Sequence, residues 1–563
     1  MLKRKNVIII LLSIIYSSFI TIGTSFLITN SFELLEKKPY ITLLVYILLV
    51  ILIFNIIKLI FDKLENRDHK IIKFKKIKKS KIYKLFDKYP FRFSIIFMII
   101  CWLPYIISFY PVIMSPDPSY QIKQFFQIPN KYSNYSIMID PNVTITNHHP
   151  VIHTLLLGTC TKIGVMINNV NLGLFIYSMI QIVILSSALS YTIKFLKENK
   201  IKNEYLILIL LVYSLIPIFP FYSMSAVKDV IFTSLIIIYI IALYKLIKKN
   251  DIETKSIFKI IVLLILIILF RNNGIHTVIL SFPLLLLIKN KKAYRLKLLS
   301  ILLVVLIFNF SYNKIILPYF KITPTSIRET LSIPFQQTGR YVKYHSKEVT
   351  EEEKKSIDRV LEYDSLAKRY KPDISDPVKN KFNKYASKED IKNYFITWFN
   401  QFKKHPKTYL EATIDNTYGY YYPLKMNWFI YHKFDDRITK DGFDYHYNKL
   451  NKSRDFLTRI GVVYPYLPIL NVFVNIGFNV WIIIFMTFFL IYKKKYRELI
   501  FLSPSIVLIL VCIASPVNSY FRYAMPYVFS LMLNLALFIK EINSNDWFRN
   551  ILFLKRPLKC SPY

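Results

Sequence analysis

Long apolar runs alternate with short basic clusters along almost the whole chain. A transmembrane helix needs about 20 apolar residues to cross about 30 Å of hydrocarbon, and twelve runs reach or approach that length. They are Asn6–Thr29, Tyr40–Phe61, Phe93–Met114, Val170–Leu196, Tyr205–Phe221, Val230–Ile247, Ile257–Phe270, Ile275–Ile288, Leu298–Leu317, Leu467–Tyr492, Leu499–Ala514 and Tyr523–Ile539. The pattern predicts an all-α polytopic membrane protein with about twelve transmembrane helices.

The lysines and arginines between these runs predict the orientation of the chain, because cytoplasmic loops are enriched in both residues. With twelve spans, the basic clusters all fall on one side, which predicts a multi-pass cell-membrane protein with cytoplasmic N- and C-termini. The clusters are Lys3–Lys5, Lys63–Arg92, Lys197–Lys202, Lys245–Lys259, Lys289–Lys297, Lys493–Arg497 and the tail from Lys540. The short segment Pro150–Ile167 carries His153 and Lys162, and we expect a surface-lying or re-entrant helix there.

The predicted organisation has four parts. Residues 1–317 form a membrane domain whose first large outer loop covers 115–169, and residues 318–465 form a small, mostly helical extracytoplasmic insert. Residues 466–540 form the C-terminal membrane helices, and residues 541–563 form a cytoplasmic tail. An aromatic patch in the insert is predicted either to stack on sugar rings or to form an interfacial belt. Its members are Tyr418, Tyr420, Tyr421, Tyr422, Trp428 and Tyr431.

Composition removes several classes of protein. Of the 563 residues, 54% are hydrophobic, which is too many for a water-soluble domain. The 75 lysines and arginines outnumber the 35 acidic residues, but they flank apolar runs and form no nucleic-acid-binding surface. The four cysteines show no metal-site spacing and no bridge framework. A soluble enzyme, a DNA-binding protein and a disulfide-stapled secreted domain are therefore excluded.

Asp117 is the candidate catalytic residue. It lies directly after a membrane helix, between Pro116 and Pro118, and the two prolines restrict the backbone on both sides. That rigidity suits a group that must hold its position against a substrate. A second interpretation, compatible with the first, is that Asp117 caps the following helix.

Three histidines close the same outer loop, in the stretch Asn147–Thr154. His149 and His153 are four residues apart after Pro150, so a helix would place both on similar faces, as a metal pair requires. Asp117 is a candidate third ligand. The alternatives are hydrogen bonding to a phosphate and simple interfacial placement. No cofactor is assigned, and a divalent metal remains an open alternative.

Three cations lie at the outer ends of later helices, where the positive-inside rule disfavours them: Lys228, Arg271 and Arg522. The short runs on either side of Arg271 are predicted to meet at an outer turn. Because these runs are short, Arg271 is expected to lie below the outer surface, in a polar cavity. Each cation has the alternative role of a snorkelling or boundary charge. If the three converged on one cleft, they would form an anion site, with phosphate as the favoured ligand.

This arrangement resembles the GT-C-type membrane glycosyltransferases, which have a first large outer loop with an Asp after a membrane helix, many spans and a late outer domain. The motifs also resemble those of an uncharacterised family of polytopic proteins from Gram-positive bacteria, a likeness that brings no known activity. These motifs are Ser-Pro-Asp at Asp117 followed by Gln121, Asn-His-His-Pro at His149, Lys228-Asp229, Arg-Asn-Asn-Gly from Arg271, and Phe-Arg-Tyr at Arg522 followed by Pro526.

The GT-C resemblance implies transfer of a sugar from a polyprenyl-phosphate-linked donor to a cell-envelope glycan or protein acceptor on the outer face. A carboxylate of the first outer loop then acts on the acceptor hydroxyl, and by position Asp117 takes this role as general base. Cations hold the donor phosphate in such enzymes. The residues predicted to bind the donor phosphate or substrate are His148, His149, Lys228, Arg271, Asn272, Arg522 and Tyr523. Where the family has adjacent acidic residues, this chain has a lone proline-flanked Asp.

Two other function classes stay open. The first is a transporter or flippase of a lipid-linked or anionic solute, which would need charged residues at mid-membrane and helices broken in both leaflets. The clustering of polar residues on one face argues against it. The second is a non-catalytic envelope-assembly protein that binds partners through the insert. In every case the predicted partners include membrane lipids and exclude nucleic acid.

Overall fold

The computed structural model describes residues 2–66, 80–132, 145–249, 251–288, 290–425 and 433–543. Parts of four predicted features lie outside these residues: 67–79 of the basic loop, 133–144 of the first outer loop, Trp428 and Tyr431 of the aromatic patch, and 544–563 of the tail. The described residues are helical and form no β-sheet, only isolated β-bridges.

Seven helices are long and apolar enough to cross a membrane, by length and composition. They are Arg4–Thr29, Pro39–Glu65, Pro90–Ser108, Val170–Glu198, Lys228–Lys248, Lys292–Tyr319 and Phe521–Asn543. Shorter apolar helices are Val151–Met166, Asn203–Leu215, Thr254–Phe270, Gly274–Leu287, Ile476–Tyr492 and Leu499–Ile513. This set confirms a helical chain that fits a multi-pass membrane protein.

The helix Lys228–Lys248 is the centre of the bundle. Its apolar window is 78% buried, as expected for a helix that is hydrophobic on all sides. It packs against Val170–Glu198, Thr254–Phe270, Leu499–Ile513 and Phe521–Phe529. The opposite case is Pro39–Glu65, whose window is 0% buried although it is the most apolar of the seven, so its leucines and isoleucines face outward as in a lipid-exposed helix.

Ion pairs gather the predicted cytoplasmic clusters at one end of the bundle. Lys493 lies 2.8 Å from Glu65, and Lys5 also pairs with Glu65. Glu541 accepts from Lys248 at 2.8 Å, which brings the last helix to the same end. Basic segments that are far apart in sequence are therefore brought together by shared carboxylates.

The insert lies at the other end and is built from short helices. They are Ser332–His345, Glu351–Asp358, Tyr363–Arg369, Asp376–Lys379, Lys388–Lys404, Pro406–Asp415 and Asn451–Val463. Their own small core contains Phe335, Ile357, Leu366 and Tyr394. The insert is thus mostly helical, as its charge pattern predicted.

Arg340 ties the insert to the first helix of the chain. Its guanidinium donates to Asp415 at 2.6 Å and to Glu411 at 2.7 Å. It also donates to the backbone carbonyl of Asn30 at 2.9 Å. Arg340, Glu411 and Asp415 are all buried, so we call this group the insert anchor.

The aromatic patch is part of the core. Tyr418, Tyr420 and Tyr422 are buried, and the rings of Tyr418 and Tyr422 pack with Phe26 of the first helix. The Tyr420 hydroxyl donates to the carbonyl of Val517 at 2.7 Å. These rings therefore join the insert to the membrane helices. Because Tyr418, Tyr420 and Tyr422 are buried, they cannot form the sugar-stacking surface offered for them.

The insert anchor leads to a stability prediction. Replacing Arg340 by Met leaves two buried carboxylates without their cation, which costs about 3–5 kcal/mol when a buried pair is broken from one side. We expect a clearly lower Tm for Arg340→Met, measured by thermal unfolding in detergent. The matched control is Arg359→Met: Arg359 is an exposed arginine 3.3 Å from Asp390, and its removal should leave the Tm almost unchanged. Equal Tm values for both variants would contradict the anchor.

Candidate functional site

The site is built on the short helix Pro116–Phe125, which we call the site helix. Ser115 occupies its N-cap and Pro116 its first turn, where the missing proline N–H costs nothing. Asp117 therefore lies inside the first turn and does not cap it, so the predicted capping role is wrong. The backbone holds the Asp117 carboxylate at the helix N-terminus, where a negative charge is favoured.

A close helix contact fixes the other end of the site helix. The ring of Phe125 packs directly on Gly158 of the helix Val151–Met166, where any Cβ atom would overlap the ring. Gln121, on the same helix, donates to Thr154 at 2.9 Å. The site helix is thus seated on its neighbour by both packing and a hydrogen bond.

Arg522 joins the two carboxylates of the site. Its Nη2 lies 2.8 Å from Oδ2 of Asp117, and its Nε lies 3.1 Å from Oδ2 of Asp229. Arg522 is 5% exposed and Asp229 is fully buried. One guanidinium therefore links the site helix to the central helix.

Arg271 reaches the same carboxylate. It pairs with Oδ1 of Asp229, so Asp229 lies between two buried guanidiniums. The ring of Tyr523 lies beside both of them, with its centroid 5.1 Å from Arg271 and 5.6 Å from Arg522. An aromatic face attracts cations at these distances, so Tyr523 belongs to the cluster.

Lys228 enters the cluster through His149. Its ammonium lies 3.0 Å from Nδ1 of His149, and an ammonium only donates. Nδ1 of His149 therefore accepts, and Nε2 carries the proton. Nε2 lies 4.0 Å from Oδ1 of Asp117. Burial holds the pKa of His149 well below its ordinary value, which fits this neutral tautomer.

His148 stands between the cluster and an open cavity. Its ring stacks on Tyr132 at 4.0 Å and meets the ring of His149 edge-on at 4.7 Å. Burial lowers the pKa of His148 to about 3, so His148 is neutral at physiological pH.

The cavity has a volume of about 290 Å³ and is lined by residues of both the first outer loop and the insert. Tyr132, Thr146 and His148 form the loop side. The insert side is lined by Thr323, Pro324, Thr325, Ser326, Ile327, Arg328, Phe382, Lys384, Ala386 and Ile391. Its walls are therefore rich in hydroxyl groups and carry two cations.

Asn272 has a positioning role next to the cluster. Its side chain donates to the carbonyl of Asn147 at 2.6 Å. Thr325 of the insert donates to the same carbonyl at 2.7 Å. The backbone that carries His148 and His149 is thus held between the turn that carries Asn272 and the insert.

His153 is not part of the cluster. Its Nδ1 lies 3.1 Å from Oε1 of Gln121, and its Nε2 lies 2.7 Å from the hydroxyl of Tyr177. His153 thus bonds to Gln121 and Tyr177. His153, His149 and Asp117 do not form a three-ligand set among the described residues, and the neighbouring cations disfavour a metal ion further.

The electrostatics of the site leave a positive balance. Lys228, Arg271 and Arg522 face two carboxylates, Asp117 and Asp229. Burial alone would raise the pKa of Asp117, but Arg522 and its cationic neighbours hold it well below its usual range. Asp117 is therefore ionised, and with neutral histidines the cluster has room for one more negative charge.

The structure thus brings together Asp117, His149, Lys228, Arg271, Arg522 and Tyr523, with His148 at the border and Asn272 behind it. Sequence reasoning missed Asp229 as the link between the arginines. Its signal was a carboxylate beside Lys228 at the start of an apolar helix, where an ionisable residue is costly and needs a partner. The cavity and Tyr132 had no signal in the sequence.

Comparison with known proteins identifies the family. The profile of a family described as "Family of unknown function (DUF6020)" matches residues 3–547. The chain belongs to this family. No curated protein and no solved structure matches the chain.

Asp229 provides the test of this cluster. In Asp229→Asn, two buried guanidiniums lose their shared counter-charge, which costs about 3–5 kcal/mol when a buried ion pair is broken from one side. We expect a strong fall in Tm in detergent. As a control, Asp251→Asn removes a carboxylate that is 71% exposed and lies 2.8 Å from Lys297, and this variant should unfold like the wild type. An unchanged Tm for Asp229→Asn would show that Arg271 and Arg522 do not depend on it.

Proposed function

We propose that this member of the DUF6020 family is a membrane glycosyltransferase that moves a sugar from a polyprenyl-phosphate-linked donor to a cell-envelope acceptor on the outer face. One observation carries the proposal. A carboxylate, Asp117, lies in a buried cluster with a surplus of cations, next to a hydroxyl-lined cavity. A base and an anion site side by side are what such a transfer needs.

The arrangement in the bilayer is part of the proposal. We infer twelve membrane-spanning helices in a GT-C-like arrangement, with both termini in the cytoplasm and the insert outside. The helix Lys228–Lys248 supports this orientation, because it runs from the cluster at Lys228 to the basic end at Lys248. Its 21 residues rise about 30 Å, close to the thickness of the hydrocarbon core.

The cations are suited to the donor phosphate. A phosphodiester brings one negative charge, and the leaving phosphate monoester develops a second. Arg522 and Arg271 are buried, and charge-assisted hydrogen bonds to phosphate are strong where water is excluded. The surplus positive charge of the cluster therefore favours the departing group more than the bound donor, which lowers the barrier.

The cavity is suited to the acceptor. Its volume of about 290 Å³ is at the low end for ligand sites, which are about 300–1,000 Å³, and fits a unit of monosaccharide size. Threonine and serine hydroxyls match the hydrogen-bonding groups of a glycan. His148 lines the cavity and contacts His149, whose Nε2 faces Asp117.

In the proposed transfer, the acceptor hydroxyl gives its proton to Asp117, and its oxygen forms a bond to the anomeric carbon of the donor. The bond between that carbon and the phosphate oxygen breaks, and polyprenyl phosphate leaves with the electron pair, held by Arg522, Arg271 and Lys228. Asp117 later releases the proton to water.

The ion pair between Arg522 and Asp117 couples donor binding to catalysis. A carboxylate whose pKa is far below its usual range is a weak base, and Arg522 is the main cation that holds it there. A bound phosphate competes for Arg522 at 2.8 Å from Asp117 and so raises the basicity of Asp117. The donor therefore prepares the base for the acceptor.

Two substitutions separate the roles of this ion pair. In Asp117→Asn, sugar transfer should fall at least about 100-fold because the base is lost, while binding of polyprenyl phosphate in micelles is retained. In Arg522→Gln, binding of polyprenyl phosphate should weaken about tenfold or more, because a charge-assisted contact is lost. Sugar incorporation into the envelope and micelle binding are the two measurements.

The control removes the partner of another charged residue of the site helix. Lys123 pairs with Asp441 at 2.5 Å, outside the cluster, so Asp441→Asn should keep both transfer and binding at wild-type levels. Full sugar incorporation by Asp117→Asn, at normal protein level and membrane insertion, would remove Asp117 as the base and with it the proposed mechanism.

A further inference from the structure

Three metal-ligating side chains meet on the insert, away from the site. His345 ends the helix Ser332–His345, Glu348 ends the turn that follows, and His405 precedes the helix Pro406–Asp415. One potential ligand atom from each lies within 4.8 Å of the others. Two stretches of chain separated by about sixty residues therefore converge on one small cluster.

Glu348 binds both histidines. Its Oε1 lies 3.2 Å from Nδ1 of His345, and its Oε2 lies 2.7 Å from Nε2 of His405. An ionised carboxylate only accepts, so each nitrogen that faces it carries a proton. The Glu348 carboxylate thus holds one ring nitrogen of each histidine through a hydrogen-bonded proton. A bound cation can replace these two protons.

We propose that His345, Glu348 and His405 form a binding site for a divalent transition metal, with Zn²⁺ as the best-suited ion. Two imidazoles and one carboxylate are a zinc donor set that leaves a fourth position for water. The inference is independent of the proposed glycosyl transfer, because none of these residues belongs to the cluster around Asp117.

Thr408 prepares His345 for this role. Its hydroxyl lies 2.9 Å from Nε2 of His345, and a hydroxyl both donates and accepts. When a metal takes Nδ1, the ring proton moves to Nε2 and donates to Thr408. Such an outer hydrogen bond fixes the tautomer and orientation of a ligating histidine.

Metal binding requires a rotation of the two rings. The rings of His345 and His405 stack at 3.7 Å with 19° between their planes, so the nitrogen lone pairs of the two rings lie in nearly parallel planes and do not both point at one ion. The side chains are 21% and 28% exposed and that of Glu348 is 50% exposed, which leaves room for the rings to turn toward one ion.

The proposed ion would hold the two helices of the insert anchor together. Ser332–His345 carries Arg340, and Pro406–Asp415 carries Glu411 and Asp415. The insert, residues 318–465, has no cysteine, so no disulfide can perform this function. A metal that binds only the folded insert stabilises it.

The test uses the full-length protein in detergent after removal of metals by a chelator. Titration with ZnCl₂ should show one equivalent of tight binding in the wild type and a rise in Tm. His405→Gln and Glu348→Gln should each bind that equivalent at least tenfold more weakly. His446→Gln is the matched control, because His446 is an exposed histidine of the same insert, 3.1 Å from Asp444, and its binding should equal that of the wild type.

A second measurement keeps the proposal testable if a variant does not fold. In the wild type alone, Zn²⁺ should raise the Tm, and an equal concentration of Mg²⁺ should not, because Mg²⁺ prefers oxygen ligands. Absence of the tight equivalent in the wild type, or its full retention in His405→Gln, would overturn the site. Equal Tm shifts with both ions would overturn it too.

Discussion

The contact of Arg522 with two carboxylates is the constraint on which the site depends. Asp117 comes from the site helix and Asp229 from the most buried of the candidate membrane helices, and the guanidinium of Arg522 lies against both carboxylates. A buried charge is tolerated only when it is paired. Because Asp229 is fully buried between Arg271 and Arg522, the electrostatic requirement of one carboxylate determines where the other residues stand.

The same requirement explains why the site is both stable and reactive. Asp229 neutralises part of the charge of both arginines permanently, because it contacts Arg271 and Arg522 and is fully buried from water. Asp117 is 24% exposed and contacts only one of them. Asp229 is thus a structural carboxylate, whereas Asp117 can exchange its contact with Arg522 for a contact with a substrate group. The buried ion pairs of Asp229 leave the Asp117 carboxylate available for chemistry in a site of low dielectric constant.

Much of the fold could be predicted from the lengths of the apolar runs. The site could be predicted only in part. Each apolar run contains a helix because its residues have no other way to satisfy the backbone in an apolar environment. The cations at Lys228, Arg271 and Arg522 stood out for the same reason, as charges that the apolar pattern does not explain. Their partners were harder to find. Which carboxylate meets Arg340, for example, depends on how the helix Pro406–Asp415 packs, and no local pattern contains that information. The burial of Tyr418, Tyr420 and Tyr422 could not be predicted either, because an aromatic residue has the same sequence signal in a core as at a surface.

The ion pairs of Arg522 and the Tyr420 contact with Val517 have a consequence for biogenesis. Both carboxylates of the site, and the whole insert, leave the ribosome before Arg522 and the final helices have been translated. Until the last segment enters, Asp229 has only Arg271 and the insert lacks part of its docking surface. Assembly of the complete cluster therefore follows synthesis of the last segment, and a chain that ends before Arg522 would lack the cation that pairs with Asp117.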